Sequence, residues 1–288
     1  MKKKKGPLIL TGVLVILLIV YFGLSSWNKK QDKKEEKETV KVTDLDESTI
    51  TAIKYQVAAG EMSFEKEGDT WYYSEDKDFP LKQSEPEAIV KAAAQITADR
   101  KLEDGDSLDA YGLDDPNYSI EITEEDGTVT TVSFGDSTGT DYYVTVGDTG
   151  VVYTVASSVL DDFKTELSDL AQLDEYPSIG SGNLKKEVIT ENGTTTTYDS
   201  ENEDQEEEIA AVAGGLGAVS LTKVADYSVE DADLAGYGLD EASRITVEAT
   251  YTKNEDEKTM KMYIGSEDGN GNRYVMLDGS KIVYQISD

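Results

Sequence analysis

Tyr111-Gly112-Leu113-Asp114 recurs as Tyr237-Gly238-Leu239-Asp240, and the stretches behind the two copies keep in step. Gly135, Tyr143-Val144 and Val152-Tyr153 follow the first copy; Gly265, Tyr274-Val275 and Val283-Tyr284 follow the second. The offset is 126 residues at the first landmark, 130 at the glycine and 131 at both later ones, so only small insertions separate the copies. A solenoid unit spans about 20–50 residues, so this period predicts a duplicated domain instead. A chain of 288 residues has room for two.

The residues around each copy predict the same order of elements. Ile53, Tyr55 and Val57 alternate as a half-buried strand requires, within a segment from Ile50 to Val57 that is followed by Glu61–Glu65 and Thr70–Tyr73. Ser84 reads as an N-cap, with Pro86 in the first turn and Glu87 at the capping-box position. Ile89, Val90, Ala93, Ala94, Ile96 and Thr97 then give one apolar helical face ending near Asp99. Tyr118, Ile120 and Ile122 lead through Asp126-Gly127 to Thr130, Val132 and Phe134, a hairpin. Tyr142, Val144 and Val146 turn at Gly147–Gly150 into Val151–Val155, and Leu160–Leu173 is expected to close the half as a short amphipathic helix.

The second half repeats this. Glu187–Thr190 and Thr194–Tyr198 bracket Asn192-Gly193, a strong hairpin signal. Glu203–Val219 is expected to be a helix, acidic at its start as the dipole favours, and cut short by Gly214, Gly215 and Gly217. Ile245–Tyr251, Met260–Ile264, Val275–Leu277 and Ile282–Ile286 read as a meander, with Asp278-Gly279 at its last turn. The expected fold class is therefore α+β: two tandem repeats, each a β-hairpin, a helix and an antiparallel β-meander. The expected boundaries are 42–176 and 177–288, preceded by a charged stalk at 28–41 and an anchor at 1–27.

The anchor is read from Pro7–Leu24, eighteen residues without a charge. As helix they span about 27 Å, enough to cross a slightly thinned bilayer core. Lys2–Lys5 precede them, and Tyr21 and Trp27 suit the far interface. A cleaved signal peptide is the alternative, with Gly23 and Ser25 as a poor cleavage site. The compact lysine cluster favours a cytoplasmic N-terminus and extracytoplasmic domains in a single-pass cell-membrane protein. The chain has no cysteine, so those domains are expected to rely on packing alone. Its net charge of −32 repels phosphate backbones and argues against nucleic acid as a partner.

Trp71-Tyr72 after a hairpin, then a helix, Tyr111-Gly112-Leu113-Asp114-Asp115-Pro116, a meander with Gly135, Tyr142-Tyr143-Val144 and Val151-Val152-Tyr153 together resemble domain-of-unknown-function family 4340. The resemblance is best from about Thr49 to Phe163 and weaker over 178–288, where Ala242 replaces Pro116 and no tryptophan stands at the place of Trp71. It implies a membrane-anchored extracytoplasmic protein, often encoded beside gliding-type ABC transporter components. It implies no catalytic residues.

Motifs that suggest chemistry fail on their context. Gly135-Asp136-Ser137-Thr138-Gly139 has the spacing of a nucleophile elbow, but it joins two strands and the chain has no histidine for a relay. Ser63 and Lys66 have serine–lysine spacing, yet residues three apart on a strand point to opposite faces. Without histidine or cysteine, zinc, copper and iron–sulfur centres lack their ligands. Asp268-Gly269-Asn270-Gly271-Asn272 begins like a calcium loop, but Arg273 stands where glycine is required and Gly279 where glutamate is. Asp104, Asp106 and Asp109 are also clustered, and each group is expected to be a solvated turn. A carboxylate pair for glycoside cleavage is a third reading, and nothing in the sequence selects such a pair. No catalytic, cofactor or metal residue is assigned. The residues singled out are Tyr111, Gly112, Leu113, Asp114, Tyr237, Gly238, Leu239 and Asp240, expected to be structural corners with partner contact as a second role.

The expected function is that of a non-enzymatic accessory protein in the lipid bilayer whose partner is a membrane protein, an ABC transporter subunit on the family resemblance. The alternative is a cell-envelope module that binds wall polymer, carbohydrate or calcium.

Overall fold

The computed structural model describes residues 40–102, 105–163 and 166–287. The expected anchor at 1–27 and the stalk up to residue 39 lie outside the described residues. Among the described residues no helix is long and apolar enough to cross a membrane. The structure is mostly β-sheet with helices, an α+β fold at the level of class.

The first strands in chain order are β1 (Val40–Lys41), β2 (Ile50–Val57), β3 (Gly60–Glu67) and β4 (Thr70–Tyr73), followed by helix α1 (Ser84–Ala94). Next come β5 (Thr97–Ala98), β6 (Arg100–Lys101), β7 (Tyr118–Glu124), β8 (Val129–Ser137), β9 (Asp141–Val146) and β10 (Tyr153–Ala156). β11 (Leu184–Glu191) and β12 (Thr194–Asp199) precede helix α2 (Glu206–Ala218). The chain ends with β13 (Val224–Asp226), β14 (Ile245–Lys253), β15 (Asp256–Glu267), β16 (Asn272–Leu277) and β17 (Val283–Ser287). These elements form two compact units. One holds the described residues up to Ile50 with Lys91–Phe163; the other holds Thr51–Val90 with the described residues beyond 163.

In the first unit, β7, β8, β9, β10 and β6 lie side by side in that order, all antiparallel. Ile120 stands opposite Val132 and Tyr118 opposite Phe134, as the alternation predicts. Ile120, Ile122, Val132 and Phe134 are fully buried, each contributing roughly 1.5–3 kcal/mol. α1 ends at Ala94 rather than near Asp99, because the segment after β1 takes the backbone groups that a longer helix would need. Val42 and Thr43 N–H donate to the Ile96 carbonyl and Leu45 N–H to that of Ala94. The buried Thr43 hydroxyl donates to the Ala93 carbonyl at 2.7 Å and accepts from Ile96 N–H at 2.8 Å. Ile96 is still buried, but beyond the helix, and Thr97 is in β5.

In the second unit, β14, β15, β16, β17 and β13 follow the same order as β7, β8, β9, β10 and β6, and hairpin β11–β12 extends that sheet beyond β14. Asn192 and Gly193 take φ of 50° and 73°, the left-handed pair a two-residue hairpin loop requires. Val247, Ala249, Tyr251, Met260, Met262 and Tyr284 line one core beneath α2, together with Ala213 and Leu216 from that helix. α2 is not cut short: it runs through all three glycines to Ala218. Gly217 has a packing reason, since a Cβ there would lie 2.8 Å from the Ile179 carbonyl oxygen. Gly214 and Gly215 face open space, and nothing in the structure accounts for them.

The expected helix over Leu160–Leu173 is instead two 3-10 turns, Ser157–Phe163 and Leu167–Leu170. The later residues pair in a β-like manner with the segment before α1: Lys82 N–H donates to the Leu170 carbonyl and Gln172 N–H to that of Pro80. That segment also reaches the second half through Phe79, whose ring lies 5.1 Å from that of Tyr227, and Asp78, paired with Lys281 at 2.8 Å.

Thr43→Val keeps the shape but leaves the Ala93 carbonyl and Ile96 N–H unpaired in the interior. It is expected to lower the unfolding free energy by about 1–3 kcal/mol in denaturant titration, with Thr43→Ser close to the parent.

Candidate functional site

Each Tyr-Gly-Leu-Asp element closes a 3-10 turn, Leu108–Tyr111 in one copy and Leu234–Tyr237 in the other. Gly112 sits at φ 68°, ψ 22° and Gly238 at φ 67°, ψ 23°, the left-handed region that glycine enters without steric cost. The reversal lets Leu113 N–H donate to the Leu108 carbonyl, and Leu239 N–H to that of Leu234. It also turns both leucines inward, to 5% and 0% exposure.

The turn rests on a second glycine. A Cβ built on Gly135 would lie 2.2 Å from the Tyr111 carbonyl oxygen, and one on Gly265 would lie 2.2 Å from that of Tyr237. At both glycines the strand register slips, between Phe134 and Ser137 on β8 and between Ile264 and Glu267 on β15. A β-bulge of this kind bends the strand locally. The tyrosines then stack on the meander: Tyr111 lies 4.7 Å from Tyr143, and Tyr237 lies 5.0 Å from Tyr274. Tyr111 Oη accepts from Asp106 N–H at 3.0 Å, whereas Tyr237 Oη donates to Asp226 Oδ2 at 2.9 Å. Burial, and then the Asp226 carboxylate, push the Tyr237 hydroxyl up to about 12. The structure thus gathers each signature with its own glycine and tyrosine landmarks. Asp114 is exposed, while the Asp240 main-chain carbonyl accepts from Ser243 and Arg244.

The motifs that suggest chemistry sit as follows. Ser137 Oγ accepts from Gly139 N–H at 3.0 Å inside the β8–β9 hairpin. Lys66 reaches over the Trp71 ring at 5.8 Å, while Ser63 lies three residues back on the same strand. Asp268 Oδ1 accepts from Asn270 and Asn272 N–H, and Oδ2 from the side chains of Asn272 and Gln285. Those donors, Asn272 foremost, hold the Asp268 carboxyl below its ordinary value. A calcium ion there would have to displace them.

One group that the sequence reading passed over stands out electrostatically. Glu187 on β11 is 4% exposed, opposite Ala249 of β14, and its Oε2 has no hydrogen-bond partner. Tyr176, beside the same core, also has a buried hydroxyl without a partner. Loss of hydration pushes the Glu187 carboxyl up to about 7. Burial, and then the Glu187 charge, raise the Tyr176 hydroxyl above its ordinary value. Tyr176 lines a surface concavity of about 450 Å³ with Pro177, Glu248, Tyr251, Met260 and Asp278. The signal was present: Glu187 shares a strand face with Ile189, so alternation alone places a carboxylate toward the core.

Three outcomes are expected here. Gly135→Ala and Gly265→Ala should each cost about 3 kcal/mol or more in unfolding free energy, because a carbonyl rather than a flexible side chain must move. Gly214→Ala, in open helical space, should instead stabilise by about 0.5–1 kcal/mol. For Glu187, a folded-state value raised from 4.5 to about 7 means its contribution is intact below pH 4.5 and lost as pH rises through 7. Glu187→Gln should therefore match the parent near pH 4.5 and exceed it at pH 8 by about 3 kcal/mol, read from denaturation at the two pH values.

Comparison with known proteins adds one finding. The profile of the family described as "Domain of unknown function (DUF4340)" matches residues 71–216 and again 200–288, two overlapping segments consistent with two copies. No curated protein and no solved structure matches the chain. From Trp71 to the C-terminus, this chain belongs to the DUF4340 family.

Proposed function

We propose that the chain is a non-enzymatic, single-pass accessory protein whose tandem repeats lie on the extracytoplasmic side and hold a membrane partner, an ABC-type transport complex of the gliding kind. One observation carries the non-enzymatic part. What the two copies share is spent on a backbone joint, the Gly112–Gly135 and Gly238–Gly265 contacts, rather than on groups converging on a reacting atom. The uncharged run Pro7–Leu24 behind Lys2–Lys5 supports the anchor and its orientation. The transport partner rests on family membership and what the family resemblance implies.

A second reading, an envelope-binding module, is favoured by the concavity that Tyr176 lines beside Glu248 and Lys253. An aromatic side chain with flanking polar groups suits a carbohydrate or wall polymer. Calcium is the least supported ligand, since the Asp268 oxygens are already occupied by donors.

Crosslinking in intact membranes separates the two. The accessory reading expects a permease or ATPase subunit to be captured, and recovery of the chain alone would count decisively against it. The binding-module reading expects the full-length protein in detergent to sediment with isolated cell walls, with Tyr176→Ala weakening this at least several-fold.

A further inference from the structure

The residues before β11 form a short strap, pinned at both ends and unbonded between them. At one end Asp174 Oδ2 accepts from the Ser280 hydroxyl at 2.6 Å and the Tyr284 hydroxyl at 3.0 Å. Asp174 N–H also donates to Tyr284 Oη at 2.8 Å. At the other end Gly180 N–H donates to Asn183 Oδ1 at 2.8 Å, and Asn183 Nδ2 donates to the carbonyls of Ser178 and Thr252 at 3.0 and 3.2 Å. Between the pins, Glu175, Tyr176 and Pro177 make no hydrogen bond among the described residues.

Tyr176 and Pro177 are also a wall shared by two concavities. One, of about 450 Å³, has Tyr251 and Met260 among its lining residues; the other, of about 350 Å³, has Ile179, Gly217 and Leu221. The buried Tyr176 hydroxyl, without a partner, is close enough to Glu187 to feel its charge. Glu187 Oε2 is likewise buried and unpartnered. Unsatisfied polar groups of this kind are rare in a packed core and call for an explanation.

The elements around Glu187 bring titratable groups but no counter-charge. Tyr198 stands opposite it on β12, and Tyr251 lies on the same face of β14 as its partner Ala249. α2 brings Ile209, Val212, Ala213 and Leu216 to this core, with Glu206, Glu207 and Glu208 exposed, and β15 brings Met260 and Met262. On its own strand Lys185 and Lys186 are exposed, and Lys186 pairs with Asp199 at 3.7 Å. Burial alone raises the Glu187 carboxyl, to about 7.

We propose that the Tyr176–Pro177 strap is a proton-operated gate: it lies closed while Glu187 is protonated, and ionisation of Glu187 releases it, joining the two concavities and letting water reach the carboxylate. In the open form Glu187 is hydrated and returns toward its ordinary value of 4.5. The closed form is therefore fully favoured below pH 4.5 and loses that advantage as pH rises through 7. The proposal does not depend on the transport reading.

The test is hydrogen exchange read by mass spectrometry on the full-length chain in one mild detergent, parent against Glu187→Gln. At pH 8, peptides covering Asp174–Gly180 should exchange at least tenfold faster in the parent; at pH 4.5 the two should agree within about twofold. Low urea should leave the strap's exchange unchanged while speeding that of Met260–Ile264, because the strap opens locally. The parent gives a readout that needs no variant: strap exchange relative to an unstructured reference peptide should rise at least tenfold from pH 4.5 to pH 8. The proposal is overturned if that ratio is flat, or if the strap is already unprotected at pH 4.5. It is equally overturned if parent and variant agree at pH 8, or if the strap exchanges only together with Met260–Ile264.

Discussion

The contact on which each repeat depends is one carbonyl oxygen seated where a side chain would otherwise begin. The Tyr111 carbonyl fills the Cβ position of Gly135, and the Tyr237 carbonyl fills that of Gly265. Two glycines are needed each time, one for a left-handed turn and one for a close approach. With that joint made, the leucine after the turn goes into the interior and the tyrosine before it lands on the third strand after the turn. The helix-to-meander connection is thereby fixed in direction, and the remaining strands can follow by hairpins alone. The recurrence of the joint, with backbone angles agreeing to about a degree, is the strongest structural sign of duplication.

Much of this was legible in the sequence because it is local. Ile120 and Val132 face one another across a short hairpin, and Asn192-Gly193 supplies its own turn geometry. What was not legible depended on partners far away in the chain. The end of α1 is set by Thr43, fifty residues from Ala93. The expected closing helix yields to pairing of Leu170 and Gln172 with a segment some ninety residues earlier. Gly217 looked like a helix breaker, and only the Ile179 carbonyl explains why no larger residue fits. Glu187 is a different case: alternation placed it inward, but a glutamate beside Lys185 and Lys186 reads naturally as surface.

Charge therefore plays two roles. At the surface it is abundant, and the pairs it makes, such as Lys54 with Glu61 at 3.1 Å, are half exposed and contribute little. Within the second core a single carboxylate lacks a partner for one oxygen and carries a cost that grows with pH. The side-chain amides of Gln83 before α1 and Gln205 before α2 show the opposite: neutral groups bonded to the backbone of the outermost strands β4 and β12, where a charge would have been the commoner guard.

The segment leading into α1 has a consequence for how the chain comes together in time. Phe79 packs on Tyr227, Asp76 accepts from Ser228, and Asp78 waits for Lys281, 203 residues downstream. None of these partners exists while the first half alone has been synthesised. The second unit cannot be completed until almost the last residue has been delivered, and these few contacts close the longest loops in it. During that interval the hairpin β2–β3–β4 must persist without its final neighbours, and a covered outer strand would protect such a waiting piece from pairing with the wrong chain.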